Sequence, residues 1–121
     1  RAEAMVLAAI DAAGDGHVLD LPMGMPFRGP VIKAGADHLL FVIHPRGSEW
    51  TLTTIRSGDD TFENRADLPV AWAGLKDAAL EEASGVQGAK FCHNGRFIAV
   101  ADSREAILKM ADIAVREATA A

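Results

Sequence analysis

The run HLLFVIHP, residues 38–45, constrains the fold most, because five apolar residues follow one another without a break between two histidines. A strand with one face in water alternates apolar and polar residues, whereas a strand covered on both faces reads as a continuous apolar run. We therefore expect residues 39–43 to form a central strand, with other parts of the chain packed on both faces of its sheet.

Two hairpins are predicted around and after this strand. The turn at residues 45–48 and the alternating segment EWTLTTIR, residues 49–56, complete the first hairpin. The second is predicted where AKFCH and RFIAVA flank Asn94-Gly95, a pair typical of a tight two-residue turn. A short strand, HVLDLP at residues 17–22, precedes both hairpins.

Helical spacing of apolar residues marks both ends of the chain. A face at residues 5, 6, 9, 10 and 13 predicts an N-terminal helix ending near Gly14, and a C-terminal helix is predicted to begin at Asp102 or Ser103. The segment DAALEEAS predicts a short helix capped by Asp77, residues 23–37 hold at most a short helix, and residues 57–75 are predicted to be mostly loop. The predicted fold is α+β (mixed α/β), a single domain over residues 1–121. Two hairpins plus an N-terminal strand form its sheet, which the N- and C-terminal helices cover.

The charge and cysteine content narrow the class of protein. The net charge of -5 is spread along the chain, which argues against an autonomous nucleic-acid grip but is compatible with a small local anion pocket. The single cysteine cannot form an internal disulfide, so a cytoplasmic location is expected. No apolar run approaches the length of a membrane span, so no membrane association is expected.

Cys92 and His93 raise the question of a zinc site or a cysteine nucleophile. Neighbouring strand residues point to opposite faces, so these two side chains cannot act together, and no second cysteine is present. A nucleophilic thiol also needs a base within reach. We therefore expect Cys92 to be a core residue and His93 to flank a turn.

Two pairs of adjacent carboxylates, at residues 59–60 and 81–82, are candidates for metal or acid–base chemistry. The first follows Ser-Gly and is typical of a solvated turn, while the second lies on the polar side of a short helix. Neither has a histidine cluster nearby, so solvated surface is the preferred interpretation for both. No catalytic residue and no metal ligand is predicted in this chain.

The start of the last helix is a candidate anion site. Free backbone N–H groups and the helix dipole favour a phosphate there, and Arg104 next to Ser103 could add a bidentate grip. The alternative is that Ser103 only caps the helix and Arg104 only faces water, and the residues alone slightly favour that alternative. His93 and Asn64-Arg65 are predicted to lie near this site if it exists.

A family resemblance extends over most of the chain and is most specific from residue 61 to residue 111. The segments that carry it follow one another along this region, namely FENR, LPVAWAGL, ASGVQGAKFCH and FIAVADSREAILKMA. In the order and spacing of these segments the chain resembles the C-terminal segment of the melanocyte proliferating gene (Myg) family of DHH-superfamily proteins, relatives of the RecJ nucleases. Weaker similarity runs back through EWTLTTI, LLFVIHP and VLDLP.

The resemblance implies a division of labour within the parent protein. In this family, metal-dependent hydrolysis, of the phosphodiesterase or RNA exonuclease type, resides in an N-terminal DHH domain that is missing here. The chain, which begins at Arg1 rather than at methionine, is then expected to be cut from a longer protein or encoded alone. A divalent metal, manganese being one candidate, would belong to the missing domain. The chain itself is expected to be an accessory, substrate-binding domain, inert alone and in contact with RNA or another phosphate ligand through the full-length protein.

The resemblance also implies substrate contacts in this chain. By analogy with the DHH-associated C-terminal domain, which closes over the active site, His93, Ser103 and Arg104 are predicted to contact substrate, with Asn64 and Arg65 as lesser candidates.

One departure from the family puts those contacts in question. Ala99-Val100 stands where relatives have a Gly-Gly pair, and glycines there would let a ligand approach the backbone closely. The alternative function is a stand-alone, non-catalytic interaction module that binds a partner chain or an anionic ligand, with homo-oligomerisation through a sheet edge or a helix.

Overall fold

The computed structural model describes residues 1–120 and confirms the α+β class. The helices are α1 (Ala2–Ala13), α2 (Arg28–Lys33), α3 (Asp77–Ser84) and α4 (Arg104–Ala118). The strands are β1 (Val18–Asp20), β2 (Phe41–Arg46), β3 (Glu49–Thr54), β4 (Ala89–Cys92) and β5 (Ile98–Ala101). The loop between β3 and α3 contains one 3-10 turn, Val70–Trp72. Within the described chain, no helix has both the length and the apolar character needed to cross a bilayer.

The five strands form one sheet in the order β1-β2-β3-β5-β4. The predicted hairpins β2–β3 and β4–β5 are present, β5 also pairs with β3, and the N-terminal strand β1 lies parallel to β2. Ile43 pairs with Asp20 on one side and with Leu52 on the other, so β2 is an interior strand. The predicted bounds, residues 39–43, are wrong at both ends, because β2 begins at Phe41 and continues to Arg46. Residues 41–43 are buried, as expected of an interior strand.

One face of the sheet, here called the helix face, carries the larger core. Strand residues Phe41, Ile43 and Leu52 pack there against α4, and the loop and α3 complete the cluster. Its other large buried members are Leu68, Trp72, Leu80, Ile107 and Met110. The amphipathic spacing of α4 produces this packing, because residues three or four apart return to one side of a helix.

The opposite face is covered over only part of its width. Helices α1 and α2 close it above β1 and β2, where Val6 and Val31 pack against Leu19 and Val42. Among the described residues, no helix packs on this face above β3, β5 and β4. We call this uncovered area the open face.

The turn between β4 and β5 differs from the predicted two-residue turn. The connection has five residues, 93–97, and its last turn places Arg96 in the left-handed region with φ 62°. Arg96 Nε donates a 2.8 Å hydrogen bond to the Leu68 carbonyl, and the Leu68 amide donates to the Arg96 carbonyl at 3.1 Å. These contacts with a distant loop fix a conformation that Asn94-Gly95 alone does not specify.

The helix caps show one wrong and one confirmed prediction. Asp77 is not the cap of α3, since Lys76 occupies that position without a side-chain bond, and Asp77 is the first helical residue with φ 51°. Ser103 caps α4, because its Oγ accepts a 3.1 Å hydrogen bond from the Ala106 amide.

The outer edge of β4 is already hydrogen-bonded within the chain. The Gly74 amide donates to the Cys92 carbonyl and the Cys92 amide donates to the Leu75 carbonyl, both at 3.0 Å, and Lys76 forms a bridge with Phe91. An unpaired edge would invite strand addition by another chain. The segment at residues 74–76 blocks that addition here.

Candidate functional site

The open face contains a groove of about 880 Å³, which we call the open-face groove. Its floor is made by β3 and β5, and its walls come from the end of β2, the start of α2, the loop after β3 and the β4–β5 turn. The lining residues are Phe27, Arg28, His44, Thr53, Thr54, Arg56, Phe62, Asn64, Gly95, Phe97 and Ile98.

The register of the sheet explains why these side chains meet. Thr53 pairs with Ile98 and with Val42, so Thr53 and Ile98 share the face opposite α4. His44 reaches the same face, two residues after Val42 on β2. The loop after β3 folds back on itself, so that Asn64 forms an antiparallel backbone bridge with Arg56.

The groove has a local charge opposite to that of the chain. The chain carries 17 acidic and 12 basic residues, yet two arginines and no carboxylate line the groove. Arg28 is partly committed, because it donates at 2.7 Å to Asp59 and at 2.8 Å to the Gly58 carbonyl. Arg56 forms no salt bridge within residues 1–120 and lies over the Phe62 ring, 4.7 Å from its centroid. The guanidinium of Arg56 is therefore available to an anionic ligand.

Exposed aromatic side chains border the groove. Phe91, His93 and Phe97 form a row on the open face, with ring centroids 6.3 Å apart for the first pair and 4.4 Å for the second. Phe91 is 38% exposed and Phe97 is 44% exposed, while Phe62 across the groove is 84% exposed. Exposed aromatic rings grouped on one surface are typical of a ligand or partner site.

His44 presents a defined tautomer within the groove lining. Its Nδ1 lies 2.9 Å from the Pro45 carbonyl, and a carbonyl can only accept, so Nδ1 carries the proton in the neutral ring. The ring packs against Gly24, where a Cβ atom would lie 3.2 Å from the His44 Cε1. The remaining nitrogen, Nε2, is the group that His44 can offer to a ligand.

Two of the predicted contact residues lie at this groove. Asn64 lines it and donates a 3.0 Å hydrogen bond to Asp67, so its amide oxygen remains as an acceptor. His93 lies beside it through its contact with Phe97, and His93 Nδ1 accepts a 2.8 Å hydrogen bond from the Gly95 amide. The structure therefore brings Asn64 and His93 to one surface.

Arg65 is placed differently from its neighbour Asn64. Its side chain is only 14% exposed and donates two 2.8 Å hydrogen bonds, to the Ala36 and Leu39 carbonyls. These bonds tie the loop after β3 to the segment before β2. In this conformation Arg65 stabilises the loop that forms one wall of the groove.

Ser103 and Arg104 lie at the other end of β5 from His93. Arg104 forms a bidentate pair with Asp20 of β1, with N–O distances of 2.5 and 3.1 Å, and its guanidinium lies 5.1 Å from the Trp50 ring centroid. The hydrogen bonds to Asp20 raise the pKa of Arg104, against a smaller lowering by burial. The structure therefore does not bring Ser103 and Arg104 together with His93 and Asn64.

Cysteine and metal chemistry find little support in this geometry. Cys92 is buried on the helix face while His93 is exposed on the open face, which confirms the predicted divergence. Burial raises the pKa of the Cys92 thiol to about 11, against a smaller lowering by Arg96. Between residues 1 and 120, no three His, Cys, Asp or Glu side chains come together as metal ligands, so the divalent metal implied by the resemblance has no fitting site in this part of the chain.

Several groove residues were missed by reasoning from the sequence, notably Arg56, Phe62 and Phe97. Their signal was an aromatic residue near an arginine in a polar stretch, as in RSGDDTF and GRF. That signal is weak, because it becomes a site only when the β3–β5 register places both stretches on one face.

Comparison with known proteins supports the family resemblance. The profile of the MYG1 exonuclease family, described as "Uncharacterised protein family (UPF0160)", matches residues 1–115. The chain is similar to the MYG1 exonuclease of Rattus norvegicus, at 34% identity over 83 residues, which cover 68% of this chain and 22% of that protein. It is also similar to the MYG1 protein of Saccharomyces cerevisiae, at 30% identity over 124 aligned positions covering 94% of this chain and 37% of that protein.

A bacterial relative extends the match beyond eukaryotes. The MYG1 protein of Chlamydia muridarum is 37% identical over 78 residues, covering 64% of this chain and 27% of that protein. The chain thus spans 22% to 37% of the length of these three relatives. No solved structure matches it significantly. Because the family profile covers nearly the whole chain, the chain belongs to the MYG1 exonuclease family.

Proposed function

We propose that this chain is the C-terminal, substrate-binding domain of a MYG1-family hydrolase and that it holds a phosphodiester chain in the open-face groove. One observation supports this proposal most directly, namely Arg56, which forms no salt bridge within residues 1–120 and lines a groove that has no carboxylate among its lining residues, in a chain of net charge -5. A local excess of positive charge attracts a phosphate backbone even when the whole protein is acidic.

The names and lengths of the relatives suggest where catalysis occurs. The rat and human relatives are named MYG1 exonuclease, and the chain spans 22% and 20% of them. We propose that hydrolysis belongs to a separate DHH-type domain that holds the divalent metal, manganese being one candidate. The chain alone is then inert and cytoplasmic. The missing ligand set within residues 1–120 and the raised pKa of the Cys92 thiol both support an inert chain.

The proposed contacts divide between the two ends of the sheet. At the groove, Arg56 supplies the cation, while Asn64 and His93 supply polar atoms beside it. At the start of α4, a phosphate contact by Ser103 or Arg104 requires Arg104 to exchange Asp20 for the ligand. The groove is therefore the first site to test.

The test of substrate binding is the fluorescence anisotropy of a labelled single-stranded RNA of about ten nucleotides, a length within the site sizes of single-strand-binding folds. We expect saturable binding that weakens with salt, and Arg56→Ala should reduce the salt slope by about 0.7. The matched control is Arg116→Ala, since Arg116 is an exposed arginine on α4, on the other side of the sheet. Equal weakening by both variants, or no binding by the parent chain, would contradict the proposal.

The proposed inertness has its own test. The chain should not cleave a phosphodiester substrate when manganese is added. Cleavage by the parent chain that a chelator abolishes, and that the variant His93→Ala lacks, would overturn the assignment of catalysis to another domain.

The exposed aromatic rings also support a second candidate, an interaction module that binds a partner protein or a second copy of the chain. Phe62 and Phe97 would then lie in a protein interface. Light scattering across a range of concentrations distinguishes RNA binding from self-association. If the chain self-associates through the groove, the oligomer should disappear in Phe62→Ser, and the oligomer should not bind RNA because its groove is occupied.

A further inference from the structure

The aromatic row on the open face is not explained by phosphate binding alone, because phosphate groups do not need exposed rings. We infer that Phe91, His93 and Phe97, with Phe62 across the groove, form a platform on which the unpaired bases of a single-stranded nucleic acid stack. This inference rests on the proposed function, since it names how the ligand of the same groove is recognised.

The position of the rings on the sheet supports stacking. Phe91 pairs with Val100, and Ile98 pairs with Thr53, so the row and the groove floor share the face that no helix covers in residues 1–120. His93 and Phe97 contact each other, with 4.4 Å between centroids and a 42° tilt, and a Cβ atom at Gly95 would lie 3.0 Å from the Phe97 ring, so this pair packs on the β4–β5 turn at the end of the groove floor. Aromatic residues on an open sheet face are a recurring way to bind splayed bases.

The charge pattern favours nucleic acid over a protein partner. Phe62 lies under Arg56, whose guanidinium is 4.7 Å from the Phe62 ring centroid and forms no salt bridge within the described chain, and Phe97 lines the same groove. An apolar protein interface would leave that guanidinium desolvated without a partner, which is unfavourable. A polynucleotide supplies both an aromatic face for each ring and a phosphate for the arginine.

Stacking predicts a specific selectivity. Every base has a π-face, so the groove should tolerate different sequences, but it should exclude a duplex whose bases already stack on one another. A strand that keeps the phosphates and lacks the bases should bind only through the arginines.

The experiment compares three ligands of equal length on the parent chain, namely a single strand, the same backbone with abasic sites, and a duplex. Base–aromatic stacking contributes about 1–3 kcal/mol per base, so the single strand should bind roughly tenfold or more tightly than the abasic strand. Phe97→Leu should weaken the single strand roughly tenfold and leave the abasic strand unchanged. The matched control is Leu108→Ala, an apolar residue of α4 with a similar exposure of 41%.

The outcomes separate this inference from the proposed function. Equal binding of the abasic and normal strands would overturn stacking while leaving phosphate binding intact. Tighter binding of the duplex, or a Phe97→Leu variant that changes the oligomeric state instead of affinity, would also overturn it. Absence of binding by all three ligands would instead overturn the proposed function. The comparison of ligands on the parent chain stays decisive even if a variant fails to fold.

Discussion

The contact between Arg104 and Asp20 yields the most quantitative prediction about the fold. These residues are 84 positions apart, and their side chains are each 46% exposed. If the pair is structural, Arg104→Ala should lower the free energy of unfolding, because it removes both the bidentate hydrogen bonds to Asp20 and the contact with the Trp50 ring.

The expected size of the effect follows from exposure. A half-exposed pair is screened by water, so the ion pair contributes about 0.2–1 kcal/mol, and the cation–π contact at such a site adds about 0.5–1 kcal/mol. Arg104→Ala should therefore lower the free energy of unfolding by about 0.7–2 kcal/mol. Arg104→Lys should recover only part of this, because lysine has neither the planar fork nor the stacking face.

Urea unfolding of a double-mutant cycle measures these values. Arg104→Ala, Asp20→Asn and the double variant should give a coupling energy of about 0.2–1 kcal/mol, which becomes smaller between roughly 0.1 M and 1 M salt as screening increases. The control is Arg116→Ala, whose partner Asp112 lies one helical turn away and whose exposure is 70%, so its cost should stay below about 0.5 kcal/mol.

Two results would refute the structural interpretation of Arg104. One is a cost no larger than that of the control, and the other is a coupling energy of zero with Asp20. Either result would mean that Arg104 is free in solution and ready for the predicted substrate contact. A stabilisation of the parent chain by phosphate that disappears in Arg104→Ala would support the same conclusion.

Three further predictions concern the frame of the site. Because the pKa of the Cys92 thiol rises to about 11 on folding, the contribution of this thiol to stability is complete below pH 9 and is lost as the pH rises towards 11. Over that pH range, the free energy of unfolding should fall by roughly 2–3 kcal/mol more in the parent chain than in Cys92→Ala. Native Cys92 should also resist thiol reagents at pH 8. Ser103→Ala should cost about 1 kcal/mol in urea unfolding through loss of the helix cap, and restoration by Ser103→Asp would exclude a general packing defect. Gly88→Ala should lower the melting temperature, because Gly88 has φ 96° and a Cβ atom would collide with Asp102, whereas Gly29→Ala, with open space around it, should be neutral or stabilising.

Those parts of the fold that depend on local patterns could be predicted. The apolar run of residues 39–43 identified an interior strand because burial on both faces removes the need for alternation. Ser103 was one of two predicted caps, and its hydroxyl does bind the first turn of α4. The divergence of Cys92 and His93 followed from the period of two that any strand imposes.

The rest depended on contacts between distant segments. Asn94-Gly95 predicted a tight turn, but Leu68 holds Arg96 in a left-handed conformation and lengthens the connection. Arg104 was an expected anion ligand, and only the parallel pairing of β1 with β2 brings Asp20 into its reach.

The groove likewise could not be read from composition. Its arginines occur in a chain with an excess of acidic residues, and the net charge argued against a nucleic-acid surface. The pairing of Thr53 with Ile98 places the arginine and aromatic stretches side by side, and no carboxylate is among the residues that line the groove, although Asp59 contacts Arg28 at its wall. Charge sorted by face, rather than total charge, is the property that matters for this site.

The central claim is that the open-face groove, rather than the start of α4, binds the substrate strand. The most direct measurement is a titration of the ¹⁵N-labelled chain with a short single-stranded RNA, followed by the chemical shifts of the backbone amides. The account predicts that the largest changes fall at residues 53–64 and 93–98. Changes concentrated at residues 103–106, or no changes at saturating RNA, would contradict it.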